Sequence, residues 1–320
     1  LMHHFKAPHD MFENAPRYDE YLANVEIPEP ASLYNQPKWG SIATKGANNS
    51  LVNEVGTSVS KRHRGRNMGI HMEVDQSLAD NEYTHQSYQK YLKRYLRTVK
   101  GVDDNLKRLL DHLKAAGEYE NTVIIYTADQ GMMLGEHDLI DKRWMYEPSL
   151  RMPFIVRHPK KINAPKVNDT MINNTDFAPL MLDIAGIDIP NYMHGKSFLN
   201  VFDNKALANW RDATYYRYWM HRAHHDVPSH FGIRSNDFKL IFFYGVDYNF
   251  ESTRQATPAG WELYDLKNDP EELHNRYNDP AYKYLITELK SEMLAQRQVY
   301  GETDVNYPHI QEIIDKHWND

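Results

Sequence analysis

Apolar residues recur at three- and four-residue spacing between Tyr83 and Ala116. Tyr88, Tyr91, Leu92, Tyr95, Leu96, Val99, Val102, Leu106, Leu109, Leu110 and Leu113 fall on one stripe, which predicts a long amphipathic helix. Gly117 is its expected stop. The run Thr122 to Thr127 is β-branched and apolar on both faces and predicts a buried parallel strand; Pro153 to Val156 predicts another. "TDFAPLMLDIAG" reads as a helix capped by Thr175 and closed by Gly186. Helix, strand, strand, helix in that order predicts an α/β domain. From about residue 210 the runs shorten to "ATYYRYWM", "HFGIRS", "FKLIFFYG" and "WELYDL", four strands by their length and composition. A helix from Pro280 to Tyr300, with Asp279 as N-cap and Pro280 at the first helical position, closes a smaller α+β subdomain. The expected division is an α/β domain over 1–208 and the subdomain over 209–320.

Composition narrows the function classes. A chain of 320 residues, 41% hydrophobic and 25% charged, is an ordinary globular sequence. No run reaches the roughly eighteen apolar residues of a membrane span. A net charge of −7 disfavours a general nucleic-acid binder, and the absence of cysteine excludes disulfides, Cys-ligated zinc and a Cys nucleophile within this chain. Residues 1–35 are Pro-rich and irregular (Pro8, Pro16, Pro28, Pro30). Residues 36–80 are polar, with a basic cluster at Lys61, Arg62, His63, Arg64 and Arg66 that reads as a solvated surface or a guide for a polyanion. The opening "LMHHFKAPHD" reads as a strand end entering a loop, and the expectation is a piece of a longer protein.

Candidate chemistry concentrates after the first strand. Asp129 and Gln130 stand where an open α/β sheet places its ligands, beyond a strand's carboxyl end. Their carboxylate and amide oxygens are hard donors suited to calcium or magnesium. "GEHDLIDKRWMYE" then brings His137, Lys142 and Arg143 toward the same crevice, and a metal beside a cation is what an anionic oxygen ester requires. Taken singly, each residue also reads as an N-cap or a salt-bridged loop residue.

The whole stretch "YTADQGMMLGEHDLIDKRWMYEPSLRMPFIVRHP" resembles the type I sulfatase family of the alkaline phosphatase superfamily. "HHFKAPHD" is similar to that family's His-containing loop, and "GWELYDLKNDPEELHNRYNDP" to its C-terminal subdomain, so the likeness runs over nearly the full chain. It implies a mixed α/β sheet flanked by helices and hydrolysis of sulfuric esters on a carbohydrate. Asp129 and Gln130 would be ligands of one Ca2+. Lys142 and His9 would neutralise or protonate departing oxygens, with Lys6, His137 and Arg143 near the substrate. His224, His225 and His230 would line the sugar pocket; as "HRAHH", with His221, they read less well as zinc ligands, because the run before them is strand-like and Pro228 interrupts any helix beyond them.

The family's formylglycine motif, early Asp pair and Lys-Trp-His segment are not found, and are expected upstream of Leu1. Ser58-Val59-Ser60-Lys61-Arg62 fits the short motif only superficially, lying after the His loop and lacking its continuation. This chain alone is therefore expected to be inactive. Bacterial polysaccharide desulfation is the nearest likeness, with marine algal polymers first and glycosaminoglycans next as substrate, in a periplasmic or secreted protein. The rival readings are a phosphodiesterase or phosphonate hydrolase of the same superfamily and a non-catalytic carbohydrate-binding relative.

Overall fold

In chain order the elements are helix α1 (Ile42–Lys45), helix α2 (Asp80–Ala115), strands β1 (Ile124–Thr127), β2 (Met133–Leu134) and β3 (Ile140–Asp141), helix α3 (Glu147–Leu150), strand β4 (Phe154–Arg157), helix α4 (Phe177–Ile184), strands β5 (Ala213–Tyr218), β6 (His230–Ser235), β7 (Phe238–Phe243) and β8 (Gly260–Asp265), and helices α5 (Lys283–Val299) and α6 (Pro308–His317). They come from a computed structural model that describes residues 1–9, 11–34, 39–45, 59, 73–203, 205 and 207–320. The basic cluster at Lys61–Arg66 and the Ser58 and Ser60 pattern lie outside the described residues. The chain divides into two compact units, one of residues 1–36, 57–123 and 133–141, the other of 37–56, 124–132 and 142–320.

In the first unit α2 begins three residues before the predicted start, with Asp80 and Glu82 in its first turn, where acidic groups suit the helix dipole. It ends as expected, Gly117 taking a φ of 73°. The Pro-rich segment has no strand to pair with, so its backbone groups need side-chain partners, and α2 supplies them. Gln89 bonds both N–H and C=O of Ile27 at 2.9 and 2.8 Å, and Tyr88 Oη donates to the Pro28 carbonyl at 2.8 Å. Phe12 packs edge-on against Tyr91 and Tyr95. Toward its C-terminus α2 keeps Leu106, Leu109, Leu110 and Leu113 only half-buried.

The second unit holds two cores. β1 and β4 pair over Leu180, Phe198, Val201 and Phe202. The expectation of a parallel strand over 122–127 is not met: among the described residues β1 pairs with β4 alone, antiparallel, Ile124 opposite Arg157 and Thr127 opposite Phe154. An apolar run reports burial of its faces and carries no information on strand direction. The cap of α4 also differs. Asn173 and Asp176 form the capping box around a 3-10 turn, in place of Thr175. Asp176 is fully buried and accepts from Lys196 N, Asn173 N and, bidentately, from Arg211.

The four C-terminal strands form one antiparallel sheet in sequence order, β5-β6-β7-β8. Side chains alternate between its faces. Phe231, Ile233, Leu240, Phe242, Trp261 and Leu263 meet Leu289 and Met293 of α5 and Ile310 and Ile314 of α6 in the main core. The opposite face carries His230, Gly232 and Arg234 from β6, Lys239, Ile241 and Phe243 from β7, and Glu262 and Tyr264 from β8. Asp279 caps the last segment as predicted, accepting the Ala281 N–H at 3.0 Å.

Candidate functional site

β1 ends at Thr127, and Asp129 and Gln130 bend away from its carboxyl end. The Asp129 side chain is exposed; its Oδ1 accepts the Gln130 N–H at 3.1 Å, and its carbonyl accepts from Asn174 Nδ2 at 3.1 Å. Gly131 is next, donating its N–H to the Ser149 carbonyl at 3.0 Å. A Cβ at Gly131 would stand 2.1 Å from the Pro148 oxygen and 2.4 Å from the Arg151 oxygen. Only glycine lets this turn close against α3. A neighbouring carboxylate and amide oxygen fit a hard cation. They supply part of a calcium shell, since no group of three or more His, Asp or Glu side chains completes a metal site among the described residues.

Lys142 stands between two non-glycine residues with left-handed backbone, Asp141 at φ 71° and Arg143 at φ 87°. Such conformations cost of order 1–3 kcal/mol each and persist where the surroundings fix them. The surroundings here are the second face of the C-terminal sheet, and the loop is seated on it residue by residue. Tyr216 Oη donates to the Arg143 carbonyl at 2.8 Å. Trp144 is 1% exposed and stacks on His230, ring centroids 6.4 Å apart. Met145 lies over Gly232, where a Cβ would meet its sulfur at 2.4 Å. Tyr146 donates to Glu262 Oε2 at 2.8 Å, beside an equal bond from Tyr264. Burial and the Glu262 charge push both phenols well above their usual range.

Glu147 completes the seat. Its carboxylate meets Arg234 at 3.2 and 3.1 Å and the fully buried Lys239 at 2.9 Å, and its N–H donates to Glu272 Oε2 at 2.7 Å. Lys239 also reaches Glu272 Oε1 at 2.6 Å. Burial would raise the Glu147 carboxyl, but the Lys239 ammonium and the Arg234 guanidinium hold it down to about 2. Glu272 is displaced upward by burial, against the pull of Lys239.

The predicted histidines take different places. His224 is exposed and His225 half-buried, on the turn before β6. His230 is fully buried, not part of a solvated loop: its Nδ1 donates to the Pro228 carbonyl at 2.7 Å, so Nε2 is an acceptor, and burial pushes the imidazole down to about 4. Neither His230 Nε2 nor Trp144 Nε1 has a hydrogen-bond partner among the described residues. His221 is locked as a neutral imidazole, with Nε2 at 2.9 Å from the Gln255 carbonyl and Nδ1 accepting from Ser229 N at 3.2 Å. In the first unit, the exposed Lys6 approaches His9 Nδ1 at 2.9 Å, so these two candidates do meet. His137 of that unit is 1% exposed, and its N–H donates to Ser32 Oγ at 2.8 Å.

Asp129 and Gln130 line a cleft of about 1390 Å³ with Glu147, Arg151, Lys166 and Asn174. Its walls include Phe154, Ile155, Phe177, Phe198 and Phe202, so much of it is apolar; the charge for an anionic ester comes from the turn and the loop. The support residues Lys239, Glu262 and Glu272 are not singled out by the sequence patterns. The available signal is a charge inside otherwise apolar strands, "FKLIFF" and "WELYDL", which buried strands tolerate only as paired groups.

Comparison with known proteins agrees with this layout. A family profile described as Sulfatase matches residues 1–187, and one described as N-sulphoglucosamine sulphohydrolase, C-terminal, matches residues 135–299. An N-acetylglucosamine-6-O-sulfatase of Bacteroides thetaiotaomicron is 35% identical over 95% of this chain, which spans 58% of that protein. A solved chain in complex with its substrate D-glucosamine-2-N,6-O-disulfate superposes with a TM-score of 0.77 at 34% identity, covering 93% of this chain and 65% of that one. A phosphonate monoester hydrolase of Silicibacter pomeroyi matches less well, with a TM-score of 0.58, 25% identity, and 69% and 43% of the two chains covered.

Proposed function

The chain belongs to the sulfatase family, and we propose that it carries the metal turn and the sulfate-binding loop of an enzyme that hydrolyses sulfuric esters of amino sugars. The observation that carries this reading is the pairing of two elements: the oxygen donors Asp129 and Gln130, and the strained Lys142–Arg143 loop. Both converge on α3, the first through Gly131 and the second through Glu147. Asp129 and Gln130 supply two oxygens to a calcium ion, which when bound polarises the sulfate group. The Lys142 ammonium takes up negative charge as the S–O bond breaks, and His9 hands a proton to the leaving sugar oxygen, with Lys6 beside it. Such groups act by meeting charge that develops only in the transition state.

The substrate we assign is a glucosamine carrying sulfate at O6, free or at a chain end. The relative from Bacteroides and the disulfate complex support this over the algal polymers that the sequence alone puts first. Arg143, His137, His224 and His225 belong to the substrate side of this reading, and His230 supports the loop from beneath. No helix among the described residues is long and apolar enough to cross a membrane, and a periplasmic or secreted location fits a polymer-derived substrate. The attacking group is the formylglycine of the family, in sequence other than this chain. The test is a panel of D-glucosamine 6-O-sulfate, D-glucosamine 2-N-sulfate and a phosphonate monoester, assayed with the full-length protein. Release of sulfate from the 6-O ester alone is expected; turnover of the phosphonate with both sulfates untouched would overturn the assignment.

A further inference from the structure

We infer that Glu272 is a positioning residue for the proposed reaction: by accepting the Glu147 N–H it fixes the loop that aims Lys142. The inference rests on the sulfatase reading for its catalytic consequence, but its structural half stands separately.

Glu272 lies after β8, in the "NDPEE" segment, and is itself a buried non-glycine residue at φ 56°. A fully buried carboxylate in left-handed backbone is costly twice over, through desolvation and through strain. Both of its oxygens are engaged. Oε2 takes the Glu147 N–H at 2.7 Å and Oε1 takes Lys239 Nζ at 2.6 Å. Lys239 is equally buried and bridges back to the Glu147 carboxylate at 2.9 Å. The first residue of α3 is thereby held at its backbone and its side chain, from two directions.

A network of two carboxylates and two cations is not a strong source of stability, because the desolvation cost approaches the Coulomb gain. Its value lies in fixing one arrangement. Glu147 is five residues after Lys142, and every residue between 143 and 147 touches the second face of the C-terminal sheet. With Glu147 pinned at one end, the backbone at Asp141 and Arg143 has no freedom to relax toward ordinary φ values, and the ammonium keeps its aim. A misplacement of about 1 Å is enough to cost on the order of a hundredfold in rate.

Two charge-balanced double variants of the full-length protein isolate the contact. Lys239→Met with Glu272→Gln keeps an oxygen acceptor for the Glu147 N–H; Lys239→Met with Glu272→Leu removes it. Both leave Arg234 and Glu147 as a neutral pair. The Gln variant should retain wild-type kcat and the slow hydrogen exchange of the Glu147 amide. The Leu variant should exchange that amide faster and lose roughly ten- to a hundredfold in kcat, with KM changed by no more than about twofold. The inference is overturned if the Leu variant keeps both its slow exchange and its kcat, or if the two variants lose kcat equally. Should the wild-type protein release no sulfate from D-glucosamine 6-O-sulfate, the functional reading fails by itself. The exchange rates of the Glu147 amide then decide the structural half, and equal rates in all three proteins refute it.

Discussion

The Gly131 N–H donates to the Ser149 carbonyl at 3.0 Å, and this bond joins the turn of Asp129 and Gln130 to the helix just beyond the Lys142 loop. There is no room for a side chain beside it, with two carbonyl oxygens within 2.4 Å of where a Cβ would stand. Gly131→Ala must push α3 and the turn apart. The expected cost is about 1–3 kcal/mol of stability, as for other overpacked sites, with loss of sulfate release in the full-length protein. Denaturant unfolding and a sulfate assay on one preparation check it; unchanged stability and activity would show that the turn and α3 are not in contact.

Calcium should separate the chain from the full-length protein. Asp129 and Gln130 offer two side-chain oxygens to an ion that takes six to eight. Calorimetry should find weak binding by residues 1–320 and one tight site in the full-length protein, weakened at least about tenfold by Asp129→Ala. Tight binding that survives this substitution would place the metal elsewhere.

His230 predicts a pH dependence of stability. Its imidazole is buried and held near 4 in the folded chain, against 6.5 for a solvated histidine. Between those values the unfolded chain is protonated there and the folded chain is not, so the unfolded state binds more protons and stability rises with pH. The contribution is full above about pH 6.5 and is lost as the pH falls through 6.5 toward 4, a change of about 3 kcal/mol. Urea unfolding at about pH 7 and about pH 4 should show His230→Gln losing less stability on acidification than the wild type. Parallel pH profiles would mean that the ring is solvated.

Much of this architecture is legible in the sequence. The four C-terminal strands, the long helix and the Asp279 cap follow from alternation, periodicity and capping chemistry, which are local. Lys142 and Asp129 stand out through the likeness of a long motif. The direction of β1 is not legible, because a run apolar on both faces has the same pattern in either orientation. Nor is the seat of the Lys142 loop, which joins Trp144 to His230 and Glu147 to Glu272 across 86 and 125 residues; such pairings depend on the fold and leave only a buried charge as their trace.

The account stands or falls on Lys142. The direct measurement is the rate of sulfate release from D-glucosamine 6-O-sulfate by the full-length protein, its Lys142→Ala variant and a Lys160→Ala control at an exposed position of the same unit. Loss of a cation that meets charge developing in the transition state should lower kcat by roughly a hundredfold or more, while the control matches the wild type. A Lys142→Ala protein that is folded and retains kcat within about twofold of the wild type would contradict the central claim that this loop carries the sulfate-binding charge.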